Sequence, residues 1–566
     1  MTTVSTVSAP SQPERINASD ITVFGPDFPF SYDQWLTHPA GLGTIPSDMH
    51  GQEVAVIGAG LAGTVAAYEL ARLGLKPVVY EADRIGGRLR SEHFAGAPEA
   101  IAELGGMRFP RSSSAMFHYS DLLGLSTEPF PNPLTPAASS TVIELGGERW
   151  YAEKLEDLPP LFNEVAEAWD AALEREFNLS GLQQAIRNRD ARRLKEIWDA
   201  IVPLWDDRSF YEFVASSDEF SALTFRHREV FGQVGFGTGG WDSDFANSML
   251  EILRVVVTEC DSHQELIKGG AEQIPRGLWN KPLHAPVSRH AGLSVQDLNS
   301  GQLRGAVTAL RRKSHNRIEV VEAGGISRDY PAVLVTCQTW LLTTVIDCEE
   351  SLFSQDLWMA LDRTRYMQSS KTFVMTDRPF WKDKHAHSNE DLLSMTLTDR
   401  LTRGTYLFDN GPDAPGVICL TYSWMSDALK MLPYTAEQRT ELALAALERV
   451  YPDVDIRSHI TGDPITVSWE SEKYFLGAFK GALPGHYRYN HRMYSHFMQR
   501  DLQPAERGIF IAGDDVSFTP AWAEGAVQTA LNAVWGIIRH FGGAAHPENP
   551  GPGDRYDELG PVALPE

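Results

Sequence analysis

The chain has 566 residues, 43% apolar and 22% charged, with a formal net charge of −25 at pH 7. That length exceeds what one hydrophobic core serves, so two or three domains are expected. The composition is globular, and the acid excess speaks against nucleic acid and anionic membrane surfaces as partners. Four scattered cysteines, Cys260, Cys337, Cys348 and Cys419, lack any paired spacing. They speak against a disulfide framework and a metal centre, and fit a reducing compartment.

Residues 1–50 read as an extension. Its first fifteen residues are rich in Ser, Thr and Pro and lack the apolar core of a signal peptide. Its aromatic piece, residues 21–30, is expected to pack on the body. The most membrane-like run, residues 54–68, is broken by glycine and meets Glu69 and Arg72, too soon to span a bilayer. A soluble, cytoplasmic protein is expected.

Residues 51–112 open a nucleotide-binding segment. Val54-Ala-Val-Ile-Gly58-Ala-Gly60-Leu-Ala-Gly63 runs from an apolar strand into a helix, and a second apolar run ends at Glu81. Gly58 permits the tight turn, Gly60 close backbone approach to a pyrophosphate, and Gly63 helix-on-strand packing. The helix N-terminus offers free N–H groups to the phosphates, and the acid suits a ribose. The fingerprint leaves NAD and FAD both open.

Residues 113–254 are read as a helical and substrate-domain segment, because apolar positions recur three and four apart between 155 and 230. Residues 255–330 return to the cofactor domain, with short strands beginning near 303. Residues 331–499 are assigned to substrate binding, with strands near 371–375 and 416–422 and a helix over 436–450. Residues 500–545 complete the cofactor domain through the buried strand Ile509-Phe-Ile-Ala-Gly513-Asp514 and a helix over 524–540. Residues 546–566, rich in Pro and Gly, are expected to be an extended tail. The fold class is therefore α/β, a Rossmann-type domain of discontinuous segments with an inserted α+β substrate domain and a helical subdomain.

Three features favour the flavin. Gly86-Gly87-Arg88 follows the ribose acid, and Gly105-Gly106-Met107-Arg108 repeats a glycine pair beside a cation. Gly513-Asp514 offers an acid for a ribityl chain just before a helix start at Gly525-Ala526, where the dipole can stabilise charge on a reduced flavin.

With these strings in the same order, and with Gly269-Gly270-Ala-Glu-Gln-Ile-Pro275 between them, the chain resembles the flavin amine oxidase family of monoamine and L-amino acid oxidases. Phe236-Gly-Thr-Gly-Gly-Trp-Asp-Ser-Asp244, Ser369-Ser-Lys-Thr-Phe-Val and Phe475-Leu-Gly-Ala-Phe-Lys-Gly resemble its bacterial L-lysine 2-monooxygenase and L-lysine oxidase branch. The resemblance implies FAD, noncovalent because Phe479 stands near the covalent cysteine segment of some relatives, and a homodimer. It implies oxidation of an L-amino acid by hydride transfer from Cα to flavin N5, with O2 as second substrate. The products are either a keto acid, ammonia and hydrogen peroxide or the decarboxylated amide.

The resemblance also implies site roles. Arg108 holds the substrate carboxylate, against the alternative of a phosphate or structural pair. Lys371 holds a water beside the flavin, against the alternative of a surface lysine. Phe479 and Trp522 form aromatic walls, with Tyr422 and Trp424 as further lining. Asp244 faces a distal ammonium, or else Asp242 or Asp244 caps a helix at 247–253. Cys260 lies near the substrate, or is simply packed. Oxidases for L-arginine or an aromatic amino acid, an NAD-dependent dehydrogenase and a non-enzymatic chaperone are the rival readings.

Overall fold

The computed structural model describes residues 21–235, 243–284 and 290–565. Its cofactor sheet is parallel, in the spatial order Lys76–Tyr80, Glu53–Ile57, Ala332–Val335, Ile509–Ile511. These strands are short apolar runs buried on both faces, as a helix-covered parallel sheet requires. The helices Leu61–Arg72 and Ala523–His540 pack together beside it, each presenting a nearly continuous buried surface.

This order corrects the assignment of 331–499 to substrate binding. Ala332–Val335 sits in the centre of the cofactor sheet, between strands from the two ends of the chain. Four buried apolar residues in a row are the signature of such a strand, and the segment boundary fell just ahead of them.

The second large sheet has seven strands, in the order Ile460–Ser468, Ser369–Thr376, Gly416–Trp424, Gly404–Phe408, Met395–Thr398, Thr141–Leu145, Glu148–Ala152. The segment 113–254 therefore contributes a hairpin to this sheet as well as helices. Ser369–Thr376 is buried at every position, which carries Lys371 into the interior. A smaller sheet joins Val307–Lys313, Arg317–Glu322, Ser327–Tyr330 and Asp347–Cys348.

The helices expected between 155 and 230 form at Pro160–Phe177, Leu179–Arg187, Ala191–Trp205 and Phe210–Ser216. They close on an aromatic cluster in which Phe177 lies 4.9 Å from Trp205 and 5.2 Å from Phe213. Residues 21–30 are buried along most of their length, and Asp27 forms a buried pair with Arg254 at 2.6 Å. The tail is not extended. It turns at Pro552–Arg555 and Tyr556–Leu559, buries Tyr556 and Leu559, and accepts the Trp535 indole N–H on Asp554 at 3.0 Å. Its apolar residues and the proline-set turn outweigh the flexibility its composition implied. Among the described residues no helix is long and apolar enough to cross a membrane.

Candidate active site

A cavity of about 1490 Å³ runs between the parallel sheet and the seven-stranded sheet. One end is walled by backbone rather than side chains, with Gly58, Gly60, Gly86, Gly87, Gly105 and Gly513 all on its lining. Gly87 has φ +59°, and a Cβ there would lie 3.2 Å from the Cα of Gly60, so the two glycines face each other across the cradle. Gly63 does not line the cavity; a Cβ on it would sit 2.0 Å from the Gly58 carbonyl oxygen, so it serves helix–strand packing as the fingerprint requires. Leu61 and Ala523, the first residues of two long helices, both line the space and bring their free N–H groups and positive dipole ends to it. The second helix starts at Ala523, two residues before the expected Gly525-Ala526, and Ala526 still reaches the lining.

Glu81 lines the cavity and accepts N–H groups of Ala59 at 2.7 Å and Asp83 at 2.9 Å, so it also braces the fingerprint turn. Gly106 and Met107 lie on the lining. Arg88 departs from expectation. It is clamped to Asp514 by both terminal nitrogens, with a further bond to the Ala478 carbonyl at 3.1 Å. The expected phosphate cation and the expected ribityl acid are thus one ion pair joining the early and late parts of the chain. A glycine-walled trough with two helix N-termini and a ribose acid fits a dinucleotide, and no group of three or more metal-binding side chains occurs among the described residues.

Lys371 lines the cavity and is buried, and its Nζ donates to the carbonyls of Glu103 at 2.9 Å and Gly105 at 2.6 Å. An ammonium has three donors, which leaves one for the cavity. Burial lowers its pKa to about 8, although the nearby Cys419 and Glu103 oppose the shift. Its cation also lies 4.6 Å from the ring centroid of Tyr422. Arg108 stands over the same ring at 5.3 Å and over Trp424 at 6.0 Å. No carboxylate is ion-paired with it among the described residues.

Tyr422, Trp424 and Phe479 form a continuous edge-to-face series at 5.4 and 5.5 Å, all on the lining. Trp522 lines the cavity from the late helix N-cap. Phe479 has Trp424 as its ring neighbour.

Asp244 is buried and lines the cavity, and its Oδ2 has no hydrogen-bond partner among the described residues. It is not a helix cap: the helix Met249–Val257 is capped by Ser248, whose hydroxyl accepts the Leu250 N–H at 3.3 Å. Burial, then the neighbouring Glu251, push the Asp244 carboxyl up to about 7. The rest of the string 236–242, including Asp242, lies outside the described residues. Cys260 is fully buried, contacts Thr258 at 3.2 Å, and is absent from the lining. Burial pushes its thiol up to about 12, as for a packed thiol.

Sequence reasoning missed three parts of the site. Glu251 and Asn247 share the wall with Asp244, and an acid inside the apolar helix Met-Leu-Glu-Ile-Leu-Arg-Val-Val-Val was the available signal. Lys480, buried on the lining with its Nζ 2.6 Å from the Asp515 carbonyl, directly follows Phe479. The proline-dense run 129–139 also lines the cavity, and its Pro-Phe-Pro-Asn-Pro spacing marks a stiff segment that composition alone could flag.

A family model described as flavin containing amine oxidoreductase matches residues 61–538. The tryptophan 2-monooxygenase of Pseudomonas savastanoi is 31% identical over 555 residues, spanning 90% of this chain and 93% of that protein. The tryptophan 2-monooxygenase of Rhizobium radiobacter is 32% identical over 546 residues, spanning 90% of this chain and 68% of that protein. A putrescine oxidase variant superposes with a TM-score of 0.64 at 18% identity, over 87% of this chain and 99% of that one. Cyclohexylamine oxidase from Brevibacterium oxydans gives 0.62 at 17% identity, over 86% and 99%. The two structures show a shared fold.

Proposed function

The chain belongs to the family of flavin-containing amine oxidoreductases, and from that premise we propose that it oxidises an L-amino acid with a cationic side chain, L-lysine foremost. The cofactor is FAD. When bound, it supplies the two-electron acceptor and the means of reducing O2. In this reading it is held noncovalently, with Phe479 on the cavity lining near the segment that carries the covalent cysteine in some relatives.

The protein's residues bind and orient. Arg108 takes the substrate carboxylate through its planar fork. Tyr422, Trp424 and Phe479 form an apolar slot that excludes water and sets the Cα–H toward the cofactor end. Lys371 directs its remaining donor into that space. Asp244 carries the reading: a buried carboxylate oxygen without a partner calls for a donor from the ligand, and an ammonium at the far end of an amino acid provides one.

The two electrons taken from the amino acid would reduce O2 to hydrogen peroxide; release and hydrolysis of the imino acid then give a keto acid and ammonia beside the peroxide, whereas reaction of the retained imino acid with that peroxide gives the amide, carbon dioxide and water. The tryptophan 2-monooxygenase relatives support the amide outcome, and they support an aromatic substrate as a second reading, since an indole N–H could also meet Asp244. Mass spectrometry of products from L-lysine, L-arginine and L-tryptophan with O2 tests both. Turnover of tryptophan alone would overturn the cationic reading.

A further inference from the structure

We propose that Glu251 is a second specificity-determining acid: with Asp244 it forms a two-carboxylate receptor that keeps one proton while empty or facing a neutral side chain, and releases it to water when a cationic side chain binds. The inference rests on the reading of Asp244 given above.

The two acids share one wall. The Asn247 backbone N–H donates to the Asp244 carbonyl at 2.9 Å, and the Asn247 side chain donates to Glu251 at 3.3 Å. The other Glu251 oxygen accepts the Ala482 N–H. Neither donor is a cation. The surrounding cations make their hydrogen bonds to other groups and act on the two acids only through space, each partly opposing the effect of burial. Arg365 donates to the Asn247 side-chain oxygen at 3.0 Å and forms no ion pair among the described residues. Lys480 is tied to the Asp515 carbonyl at 2.6 Å, and Arg254 is paired with Asp27 at 2.6 Å. Arg108 lies over Tyr422 and Trp424. Two buried carboxylates without a direct counter-ion resist double ionisation. Burial pushes both up to about 7, and the Glu251 charge adds to the shift of Asp244.

The test compares kcat/KM for L-lysine and the neutral isostere L-norleucine as pH varies, in wild-type holoenzyme, Glu251→Gln and Asp244→Asn. In wild type the lysine-to-norleucine ratio rises roughly tenfold between about pH 6 and about pH 8. Glu251→Gln removes the like charge but keeps an acceptor for Ala482. The midpoint of the rise then falls by about one unit, so lysine preference increases at low pH and decreases at high pH. A purely structural Glu251 would depress both substrates together and leave the midpoint in place, which overturns the proposal while Asp244→Asn still abolishes the preference. If Asp244→Asn leaves the preference intact, or lysine is not turned over, the underlying reading falls too. A second measurement covers a Glu251→Gln protein that does not fold. Calorimetry of wild-type holoenzyme with 6-aminohexanoate in buffers of different ionisation enthalpy should show release of about one proton near pH 7, and none with hexanoate. Equal proton release for both ligands overturns the proposal.

Discussion

Arg108→Met separates substrate recognition from structure. The guanidinium lies over two aromatic rings and is ion-paired with no carboxylate among the described residues, so the folded protein carries the desolvation of a cation without a full compensating partner. Its removal should leave the melting temperature unchanged or slightly raised. Substrate binding should lose about 2–5 kcal/mol, the cost of deleting one side of a buried hydrogen-bonded charge pair. That corresponds to a rise in Kd of roughly thirtyfold to several-thousandfold. The Asp244 charge in the same cavity already offsets part of the field at Arg108, which places the expectation in the lower half of that range. The assay is perturbation of the flavin spectrum under anaerobic conditions with a carboxylate ligand such as 6-aminohexanoate, beside the carboxylate-free diamine cadaverine. Equal weakening for both would refute the carboxylate role, and release of FAD would move Arg108 to the cofactor cradle.

Asp244→Ala should lose about 2–5 kcal/mol in kcat/KM on L-lysine and little on L-phenylalanine; parallel losses in steady-state assays would remove Asp244 from side-chain recognition. Lys371→Met should abolish an inflection near pH 8 in the pH profile of flavin reoxidation by O2, since the ammonium is lost as pH rises through about 8. It also leaves the Glu103 and Gly105 carbonyls without their donor, so thermal stability should fall by about 1–3 kcal/mol. Asp514→Asn discharges one side of the Arg88 clamp and should weaken FAD binding at least tenfold by flavin fluorescence. Retention of FAD at wild-type affinity would confine that pair to holding the two chain segments together.

The cofactor half was legible because phosphates demand backbone approach, and only glycine at fixed spacing supplies it. Gly58, Gly60, Gly87 and Gly513 could therefore be read without coordinates. Lys371 was legible as a motif member, but its burial followed from a strand closed in on both sides, which no single strand announces. The clamp between Arg88 and Asp514 was invisible because it spans most of the chain, and each partner had a plausible separate task. Asp244 lies on the cavity lining, whereas the unbonded state of its Oδ2 and its acid neighbour depend on a helix docking against the segment 478–482. Cys260 entered only through the family resemblance, and its position off the cavity lining is a matter of packing that a sequence string does not encode. The tail misled for the opposite reason: Pro and Gly signal looseness, but here they set turns under the buried Tyr556 and Leu559.

The parallel sheet has a consequence for biosynthesis. Its two middle strands, Glu53–Ile57 and Ala332–Val335, become neighbours only after most of the chain has been made, and the strand Ile509–Ile511 comes later still. At about 5–20 residues per second, the roughly 450 residues between first and last strands take on the order of half a minute to a minute and a half to emerge. During that interval the fingerprint strand has an open, apolar edge and no finished trough for a nucleotide. FAD capture is therefore a late event on the ribosome, and a chain cut short before residue 509 should lack a flavin site however complete its catalytic half.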